Sequence, residues 1–534
     1  MNFLDLLFAS PPWRVRLPPG KFLQGSGPIE NMRDSLDSRR GDLLALGAIA
    51  LVVAVLHVAT NGRYGFHRDE LQVLDDARHL DWGFIVYPPF TPFIERVGLQ
   101  IFGVSLVGLR MFSVLAQAAA LIVTGLMARE LGGSRLAQIV AALAVAVSPL
   151  PLFEGTEFQY STFDYLWFVL IAYSFIRLLK SENPRWWLAI GAAIGLGMMT
   201  KYTMGFFVAG IVGGVLFTPA RRYLKSPWLW SGAALAILIF LPNLLWQIRH
   251  DFISLHFLQH IHARDVAQGR ANGFLRDQFL ISTSLFIAPL WLAGLYYFFA
   301  DPDGQRYRLM GWLYVIPFAL FFFAKGRGYY LAPTYPMLFA AGSVLWQRWI
   351  ASLSAAWSRA VRGVTFAALA IAGAFSVAFI IPLNPHIAAN NFALRNNGDL
   401  REEIGFTDLV AAVAQVRDSL SPAERESLGI LTGNYGETGA INLYGPAYNL
   451  PQALSGTNTA WFRGYGNPPP KTLIVVGLSR GYVERTFDSC RIAGHNGNPY
   501  GIKNEESEDH PDIYVCGPPR QPWPQFWAEF QSYG

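Results

Sequence analysis

The chain has 534 residues, of which 52% are hydrophobic and 15% are charged, and its 42 Lys and Arg outnumber its 37 Asp and Glu. A soluble globular chain carries about 25% charged residues, and a chain this apolar could not cover its own surface with polar groups. The composition excludes a disordered, collagen-like or disulfide-rich secreted protein. It indicates a mainly α-helical, polytopic membrane protein, whose excess of positive charge points to basic cytoplasmic loops and not to nucleic acid.

Residues 1–41 form a polar lead with six basic residues, and we expect this lead to lie in the cytoplasm. Residues 42–382 follow as a series of apolar stretches, most of them close to the roughly 20 residues that cross a bilayer as a helix. About eleven transmembrane helices are therefore predicted. The predicted segments are 43–59, 107–128, 136–153, 163–179, 186–199, 202–217, 227–246, 279–299, 311–324, 329–346 and 364–382.

Basic residues in the connecting loops predict how these helices are oriented in the membrane. With a cytoplasmic N-terminus, thirteen Lys and Arg fall in the inner loops and three in the short outer loops. Two long loops, at about 60–106 and 247–278, then lie on the outer, periplasmic side. Eleven spans place residues 383–534 there too, and their Pro/Gly turns, helix-like stretch and β-rich runs predict a small periplasmic α/β domain.

The two cysteines of the chain, Cys490 and Cys516, both fall in this predicted outer domain. An oxidising compartment lets such a pair form a disulfide, which would close a loop of about 25 residues and contribute ~3 kcal/mol in the chain-entropy model. Two free buried thiols are the alternative. We predict the disulfide, because the topology places both cysteines outside.

Two adjacent carboxylates, Asp69 and Glu70, follow the first apolar segment at the expected membrane surface. Adjacent residues of a helix do not face each other, so we expect one side chain to point at a substrate and the other to anchor the loop. A carboxylate near low-dielectric surroundings can act as a general base. The alternative is a solvated charge cluster at the start of a helix.

A rigid aromatic stretch follows in the same outer loop. Tyr87 precedes Pro88 and Pro89, and proline fixes the backbone and stops helices. An aromatic side chain on a rigid outer loop suits the wall of a ligand site. The alternative is an anchor at the membrane interface, where Tyr and Trp are common.

Cations at two further outer junctions point to an anionic ligand. Lys201 lies between two apolar segments with almost no loop, where an ammonium group is costly unless an anion is near; the alternative is snorkelling to the interface. Lys325 and Arg327 precede Tyr329 and Tyr330. Cations and hydroxyl groups together suit a lipid phosphate, with a polar interfacial belt as the alternative.

The second long outer loop contains several histidines. His256 and His260 are four residues apart, as two metal ligands on one face of a helix would be. No cysteine lies near them, and polar exposure on a packed helix is the better interpretation. We therefore predict no metal site.

The order of these features resembles the membrane glycosyltransferases of the GT-C fold. It is similar in particular to the bacterial branch of the protein O-mannosyltransferase superfamily, which includes the lipid A aminoarabinose transferase. The likeness covers residues 42–382 in topology and is weaker in the tail. It is carried by His67-Arg68-Asp69-Glu70, Tyr87-Pro88-Pro89-Phe90, Met199-Thr200-Lys201-Tyr202, Tyr329-Tyr330-Leu331-Ala332-Pro333 and Gly433-Asn434-Tyr435-Gly436-Glu437.

The resemblance implies a transferase that moves a sugar from a polyprenyl-phosphate donor to a lipid, glycan or protein acceptor, on the periplasmic face of the bacterial inner membrane. It implies inversion at the sugar carbon and no cofactor, and we expect a monomer. Asp69 matches the presumed base of the family, and Glu70 fills the companion acidic position. Lys201 matches a lysine beside the base, and Tyr330 matches a tyrosine that faces the donor phosphate.

Two positions depart from the aminoarabinose enzyme. Gln72 and Tyr87 stand where that enzyme has basic residues, so the donor phosphate would rely on other cations. The candidates are Lys325, Arg327, Arg249 and Arg264.

Two other functions stay open: a transporter or lipid flippase that uses the acidic pair for ion coupling, and a scaffold without catalysis. Transporters often carry charges at the middle of interrupted helices. Here most predicted spans lack central charges, and polar residues collect in the outer loops. The enzyme is therefore the favoured interpretation.

Overall fold

The structure, a computed structural model, describes residues 28–383 and 388–534. Most of the predicted cytoplasmic lead and a short stretch at the predicted domain boundary, residues 384–387, lie outside the described residues. The first helix, α1, extends over Pro28–Thr60. It therefore includes the last part of the predicted lead.

The part of the chain before residue 383 is helical. Each predicted apolar segment coincides with one helix or with two consecutive helices, because a helix satisfies its backbone hydrogen bonds without water. After α1, the helices are α2 (Arg68–Arg78), α3 (Phe90–Phe102), α4 (Leu106–Glu130), α5 (Arg135–Ala146), α6 (Pro149–Phe153), α7 (Tyr160–Ser181), α8 (Trp186–Met198), α9 (Met204–Leu216), α10 (Pro227–Arg249), α11 (Ile253–Ala267), α12 (Phe274–Leu280), α13 (Ala288–Phe299), α14 (Arg308–Phe323), α15 (Tyr335–Ala351) and α16 (Ala355–Ile380).

Among the described residues, five helices are long and apolar enough to cross a membrane, and up to seven spans result if two bent helix pairs each count as one. The apolar helices α5 and α8 are shorter. The 13 residues of α8 extend about 20 Å, against about 30 Å of bilayer hydrocarbon. The chain is a multi-pass membrane protein, and eleven spans stay a prediction, because hydropathy does not reveal where an apolar stretch breaks into short helices.

A mixed five-stranded sheet follows the last long helix. Its strands are β1 (Leu428–Thr432), β2 (Ala453–Ser455), β3 (Thr472–Val476), β4 (Arg491–His495) and β5 (Asp512–Cys516), and the helices of this part are α17 (Ala388–Asn396), α18 (Gly398–Arg401), α19 (Phe406–Asp418), α20 (Pro422–Glu426), α21 (Tyr435–Tyr444), α22 (Arg480–Thr486), α23 (Glu505–Asp509) and α24 (Trp523–Glu529). The strand order is β2-β1-β3-β5-β4; β1 is parallel to β2 and β3, and β5 is antiparallel to β3 and β4. We call residues 398–534 the sheet unit.

The sheet unit shares a hydrophobic core with α2, which lies in the first long loop of the predicted topology. Leu71 and Leu74 of α2 belong to the same buried apolar cluster as Leu409 and Val413 of α19. Burial of these side chains ties the helix to the sheet unit. We call the side of the molecule on which α2 and the sheet unit lie the sheet side.

Cys490 and Cys516 form a disulfide in the structure, across a separation of 26 residues. We expect thiol labelling of the unfolded protein to require prior reduction. Reduction should also destabilise the sheet unit by ~3 kcal/mol, because the opened loop regains conformational entropy. A Cys490→Ser/Cys516→Ser double variant should unfold at the same temperature as the reduced protein. Full labelling without reductant would contradict the pairing.

Candidate functional site

Asp69 lies in the first turn of α2, at the junction between the membrane helices and the sheet unit. The turn is closed by a capping box. The Nδ1 atom of His67 accepts a hydrogen bond from the Asp69 N–H at 3.1 Å, and the Glu70 carboxylate accepts one from the His67 N–H at 2.8 Å. Such a cap satisfies the free donors of the turn and fixes its entry angle. The Asp69 side chain is therefore held in a defined place.

Asp69 lines two neighbouring cavities. The first, which we call the cationic chamber, has a volume of about 150 Å³, and the second, which we call the polar chamber, has a volume of about 400 Å³. Gln159, Tyr160 and Arg327 also line both. A ligand on either side can thus reach the same carboxylate.

Lys201, Arg264 and Arg327 line the cationic chamber. Arg327 is paired with Asp265, whose carboxylate accepts from the Arg327 Nε at 2.6 Å and from its Nη2 at 2.9 Å and also forms a salt bridge with Arg270 at 3.5 Å. Within the described parts of the chain, neither Lys201 nor Arg264 forms a salt bridge, and the buried Nε of Arg264 has no hydrogen-bond acceptor. Lys201 and Arg264 are thus cations without a salt-bridge partner that line one cavity, a combination that suits an anion.

Aromatic rings surround Lys201. Its Nζ lies 4.7 Å from the ring centroid of Tyr330, 5.1 Å from that of Tyr160 and 5.4 Å from that of Tyr329. Cation–π contacts stabilise an ammonium group without removing its charge. The motifs that contain Lys201 and Tyr330 are far apart in the sequence and are brought together at this chamber.

The Tyr87 stretch forms another wall of the cationic chamber. The Tyr87 hydroxyl donates to Asp76 Oδ2 at 2.8 Å. Burial, followed by the charge of Asp76, raises the pKa of Tyr87, so the hydroxyl keeps its proton. The Phe90 N–H donates to the Met199 carbonyl oxygen at 3.0 Å, which joins this stretch to the turn that carries Lys201.

Glu70 lies outside both chambers, in contrast to its predicted catalytic role. Its carboxylate is fully buried and accepts from the Arg110 Nε at 2.8 Å, from the Arg110 Nη2 at 2.6 Å and from the Phe158 N–H at 2.7 Å. Together with the bond from the His67 N–H, these contacts occupy both oxygens. The pairing of Glu70 with a fully buried arginine is what we expect of the anchoring member of the acidic pair.

Replacement of Arg110 by Met is expected to destabilise the protein by about 3–5 kcal/mol, because the Glu70 charge stays buried without its partner. Thermal unfolding in detergent measures the effect. The Arg110→Met/Glu70→Gln double variant should recover part of the loss. The matched control is Arg480→Met, because Arg480 and its partner Glu484 are both exposed, and exposed pairs contribute little. Equal losses from the two arginine variants would contradict the assignment.

Two other predicted phosphate-binding residues lie elsewhere. Lys325 is exposed, follows the end of α14 and lines neither chamber. Its side chain is therefore unsuited to the predicted contact with a donor phosphate in these cavities. Tyr329 lines the polar chamber, whereas Tyr330 lines the cationic chamber.

The polar chamber has a different lining. His67, Glu154 and Asp399 contribute polar side chains. Ser161 and Thr162 donate to Glu154 Oε2 at 2.9 and 2.8 Å, and burial raises the pKa of Glu154. The guanidinium that reaches this chamber is that of Arg327, which is paired with Asp265. Among the described lining residues, the polar chamber therefore has no Lys or Arg without a salt-bridge partner. Its apolar lining consists of Pro149, Leu150, Phe153, Leu280, Ile281, Phe379 and Ile380.

The sheet unit supplies wall residues that the site prediction did not include. Tyr435 and Asn458 line the cationic chamber. The Tyr435 hydroxyl donates to Asp69 Oδ1 at 2.9 Å and accepts from the Arg68 Nε at 2.8 Å. Removal from solvent, followed by the charge of Asp69, raises the pKa of Tyr435, so this hydroxyl is protonated at neutral pH. The motif around Tyr435 was visible in the sequence, but nothing in it indicated which membrane-side residue it would meet.

Gln159 and Tyr160 were also missed. They end a short polar stretch between two apolar segments, residues 154–160, with two carboxylates and a tyrosine. A polar stretch at a predicted outer junction was the available signal. By contrast, His256 and His260 are exposed on α11, and the residues that the structure describes contain no group of three or more potential metal ligands.

Residues 86–246 match the family model described as dolichyl-phosphate-mannose-protein mannosyltransferase. The chain is 25% identical over 284 residues to the lipid A galacturonosyltransferase RgtD of Rhizobium johnstonii, which is 52% of this chain and 58% of that relative. It is 26% identical over 319 residues to the undecaprenyl phosphate-alpha-4-amino-4-deoxy-L-arabinose arabinosyl transferase 1 of Sodalis glossinidius, which is 54% and 56% of the two chains. The match thus spans little more than half the length of these curated relatives.

A solved structure extends the comparison to most of the chain. The crystal structure of ArnT from Cupriavidus metallidurans bound to undecaprenyl phosphate matches with a TM-score of 0.55 at 16% identity, over 89% of this chain and 98% of that chain. A likeness at this identity shows the fold, and the chain has the GT-C fold. With the family match, it confirms the resemblance to the protein O-mannosyltransferase and aminoarabinose transferase superfamily that the motifs predicted.

Proposed function

We propose that the protein is a membrane glycosyltransferase, which moves a sugar from a polyprenyl-phosphate donor to a hydroxyl group of a lipid, glycan or protein acceptor. The observation that carries the proposal is the composition of the cationic chamber. Lys201 and Arg264 line it without a salt-bridge partner among the described residues, and Asp69 lines the same cavity. A phosphate leaving group needs the cations, and a hydroxyl acceptor needs a base.

The cationic chamber suits the phosphate end of the donor. Its volume of about 150 Å³ is small beside the roughly 300–1,000 Å³ of pockets that bury a whole drug-sized ligand. Phe257, Leu258 and Ile261 of α11 form its apolar wall, and Leu258 is also 38% exposed. The polyprenyl chain can therefore leave the chamber along α11 into the bilayer.

The polar chamber suits the acceptor. It reaches Asp69 from another side and lacks an uncompensated cation among its described lining residues, so a phosphate has less reason to bind there. Leu280 and Ile281 at its edge are 50% and 39% exposed. An apolar, exposed edge supports a lipid-linked acceptor best among the three classes.

In the proposed reaction, the Asp69 carboxylate takes the proton of the acceptor hydroxyl while the acceptor oxygen bonds to the anomeric carbon. The bond between that carbon and the phosphate oxygen breaks. Polyprenyl phosphate leaves as an anion beside Lys201 and Arg264, which stabilise its developing charge. A single displacement from the opposite face inverts the anomeric carbon.

We place the sheet side in the periplasm of a bacterial inner membrane and the N-terminus in the cytoplasm, with the sheet unit as a periplasmic domain. Thirteen basic residues in the predicted inner loops against three in the short outer loops support this orientation. The disulfide between Cys490 and Cys516 also supports it, because disulfides persist in oxidising compartments.

The test uses the purified protein in detergent with undecaprenyl-phosphate-linked sugars and a set of lipid acceptors, followed by mass spectrometry. We expect an acceptor product heavier by one sugar residue, formed together with undecaprenyl phosphate. Movement of the lipid-linked sugar across liposomes without any covalent product would overturn the proposal and favour a transporter.

A further inference from the structure

We propose that Tyr435 of the sheet unit is a positioning residue that orients the Asp69 carboxylate for proton transfer, so that the site is complete only with the sheet unit docked on α2. This inference rests on the glycosyltransferase function proposed above. It assigns a role to the Gly433–Glu437 motif, which the proposed reaction does not otherwise use.

The geometry around Tyr435 forms a chain of two hydrogen bonds. The Arg68 Nε donates to the Tyr435 hydroxyl at 2.8 Å, and this hydroxyl donates to Asp69 Oδ1 at 2.9 Å. The Arg68 guanidinium also lies over the Tyr435 ring, with its Cζ 5.0 Å from the centroid. Arg68 thus fixes the Tyr435 hydroxyl, and this hydroxyl in turn fixes the Asp69 carboxylate.

One oxygen of Asp69 is engaged and the other is available. In the described part of the chain, no second hydrogen bond to the Asp69 side chain accompanies the one from Tyr435. Because the hydrogen bond fixes Oδ1, the Asp69 carboxylate cannot rotate freely. Oδ2 is left to take the proton of the acceptor hydroxyl. A base that is held in a narrow range of orientations raises kcat for sugar transfer. It does not change the affinity for the donor.

The start of α21 is built for a close approach to α2. A Cβ atom at Gly439 would lie 2.5 Å from the Leu71 carbonyl oxygen, and one at Gly436 would lie 2.9 Å from the Arg68 Cβ. Only glycine permits the two helix backbones to come this close. The Asn434 side chain caps α21 by accepting from the Gly436 N–H at 2.6 Å, which sets the first turn and with it the position of Tyr435.

Polar contacts farther along α2 hold the sheet unit in the same place. Arg463 forms salt bridges with Asp75 and with Asp76, the latter at 3.1 Å. The Arg78 Nη1 donates to the Asn442 carbonyl oxygen at 2.8 Å. The hydrogen bond between Tyr435 and Asp69 is therefore one end of an interface that runs along the helix, and not an isolated surface contact.

The decisive variant is Tyr435→Phe, which removes the hydroxyl and keeps the ring. We expect kcat for sugar transfer to fall about 10- to 150-fold, as for the loss of one hydrogen bond to a charged group. The affinity for undecaprenyl phosphate should change less than about 2-fold, because the cations of the chamber are untouched. The matched control is Tyr444→Phe on the same helix, which should keep both values.

A second variant changes the distance between α21 and α2 and keeps the Tyr435 hydroxyl. Gly439→Ala should push α21 away from α2 and lower kcat in the same direction, and the Gly439→Ala/Tyr435→Phe double variant should lose little more than Tyr435→Phe alone. Additive losses would overturn the coupling. A purely structural role of Tyr435 would lower the unfolding temperature and weaken undecaprenyl phosphate binding along with kcat.

The outcomes separate this inference from the function on which it rests. If Asp69→Asn abolishes transfer and Tyr435→Phe behaves like Tyr444→Phe, the role of Tyr435 is wrong and the proposed function stands. If the purified protein forms no covalent product, or if Asp69→Asn transfers sugar normally, the proposed reaction fails and the role of Tyr435 falls with it.

Discussion

Asp69→Asn is expected to reduce sugar transfer by about 10²- to 10⁴-fold, the range that a positioned general base contributes. The amide has nearly the shape of the carboxylate, and its oxygen can accept the same hydrogen bond from Tyr435. It cannot take a proton from an acceptor hydroxyl at neutral pH. We therefore expect the variant to fold, to bind undecaprenyl phosphate and to transfer almost no sugar.

The measurement compares initial rates of product formation with the unfolding temperature of the same preparation. Asp509→Asn is the matched control, since Asp509 is an exposed carboxylate of the sheet unit that lines neither chamber. Normal transfer by Asp69→Asn would remove this residue from the mechanism. A drop in unfolding temperature as large as that of Arg110→Met would instead indicate an anchoring role like that of Glu70.

Lys201→Met is expected to weaken the binding of undecaprenyl phosphate by about 10- to 150-fold. The estimate follows from about 1.5–3 kcal/mol for a hydrogen bond between charged groups. Methionine keeps an apolar stem of similar length among the tyrosine rings, so the loss reports the charge. Transfer should slow as well, because the leaving phosphate loses a cation that stabilises it. Arg264→Met should act in the same direction.

Lys325→Met is the matched control for Lys201→Met. The sequence predicted both lysines as phosphate ligands, and only Lys201 lines the cationic chamber. Binding of undecaprenyl phosphate, measured by calorimetry at two salt concentrations, should be nearly unchanged for Lys325→Met. A larger effect at Lys325 than at Lys201 would show that the phosphate binds outside the chamber and would contradict the donor side of the proposal.

The adjacent carboxylates of α2 have different surroundings in the structure. Asp69 and Glu70 are neighbours in the chain, yet one lines two chambers and the other is fully buried against Arg110. Successive residues of a helix point about 100° apart. That the two side chains point in different directions could be predicted from this geometry, but which of them is buried depended on where Arg110 lies.

The membrane part of the fold was predictable because its cause is local. Runs of apolar residues become helices wherever backbone hydrogen bonds lack water, and each predicted segment coincides with a helix. The motifs around Asp69, Tyr87 and Lys201 also marked the residues that line the cationic chamber. Residue type and order alone were sufficient to predict these helices and these three lining residues.

The sequence by itself determined which residues carry charge and which segments are apolar, and the tertiary structure decided which charges are compensated. Arg327 and Arg264 are the same residue type, but Asp265 pairs with the former, whereas the buried Nε of the latter has no acceptor among the described residues. The hydrogen bond between Tyr435 and Asp69, which are more than 360 residues apart in the chain, could not be predicted from the sequence either. Electrostatic and hydrogen-bonding energies depend on distances of a few ångströms in space, and separation along the chain does not set those distances.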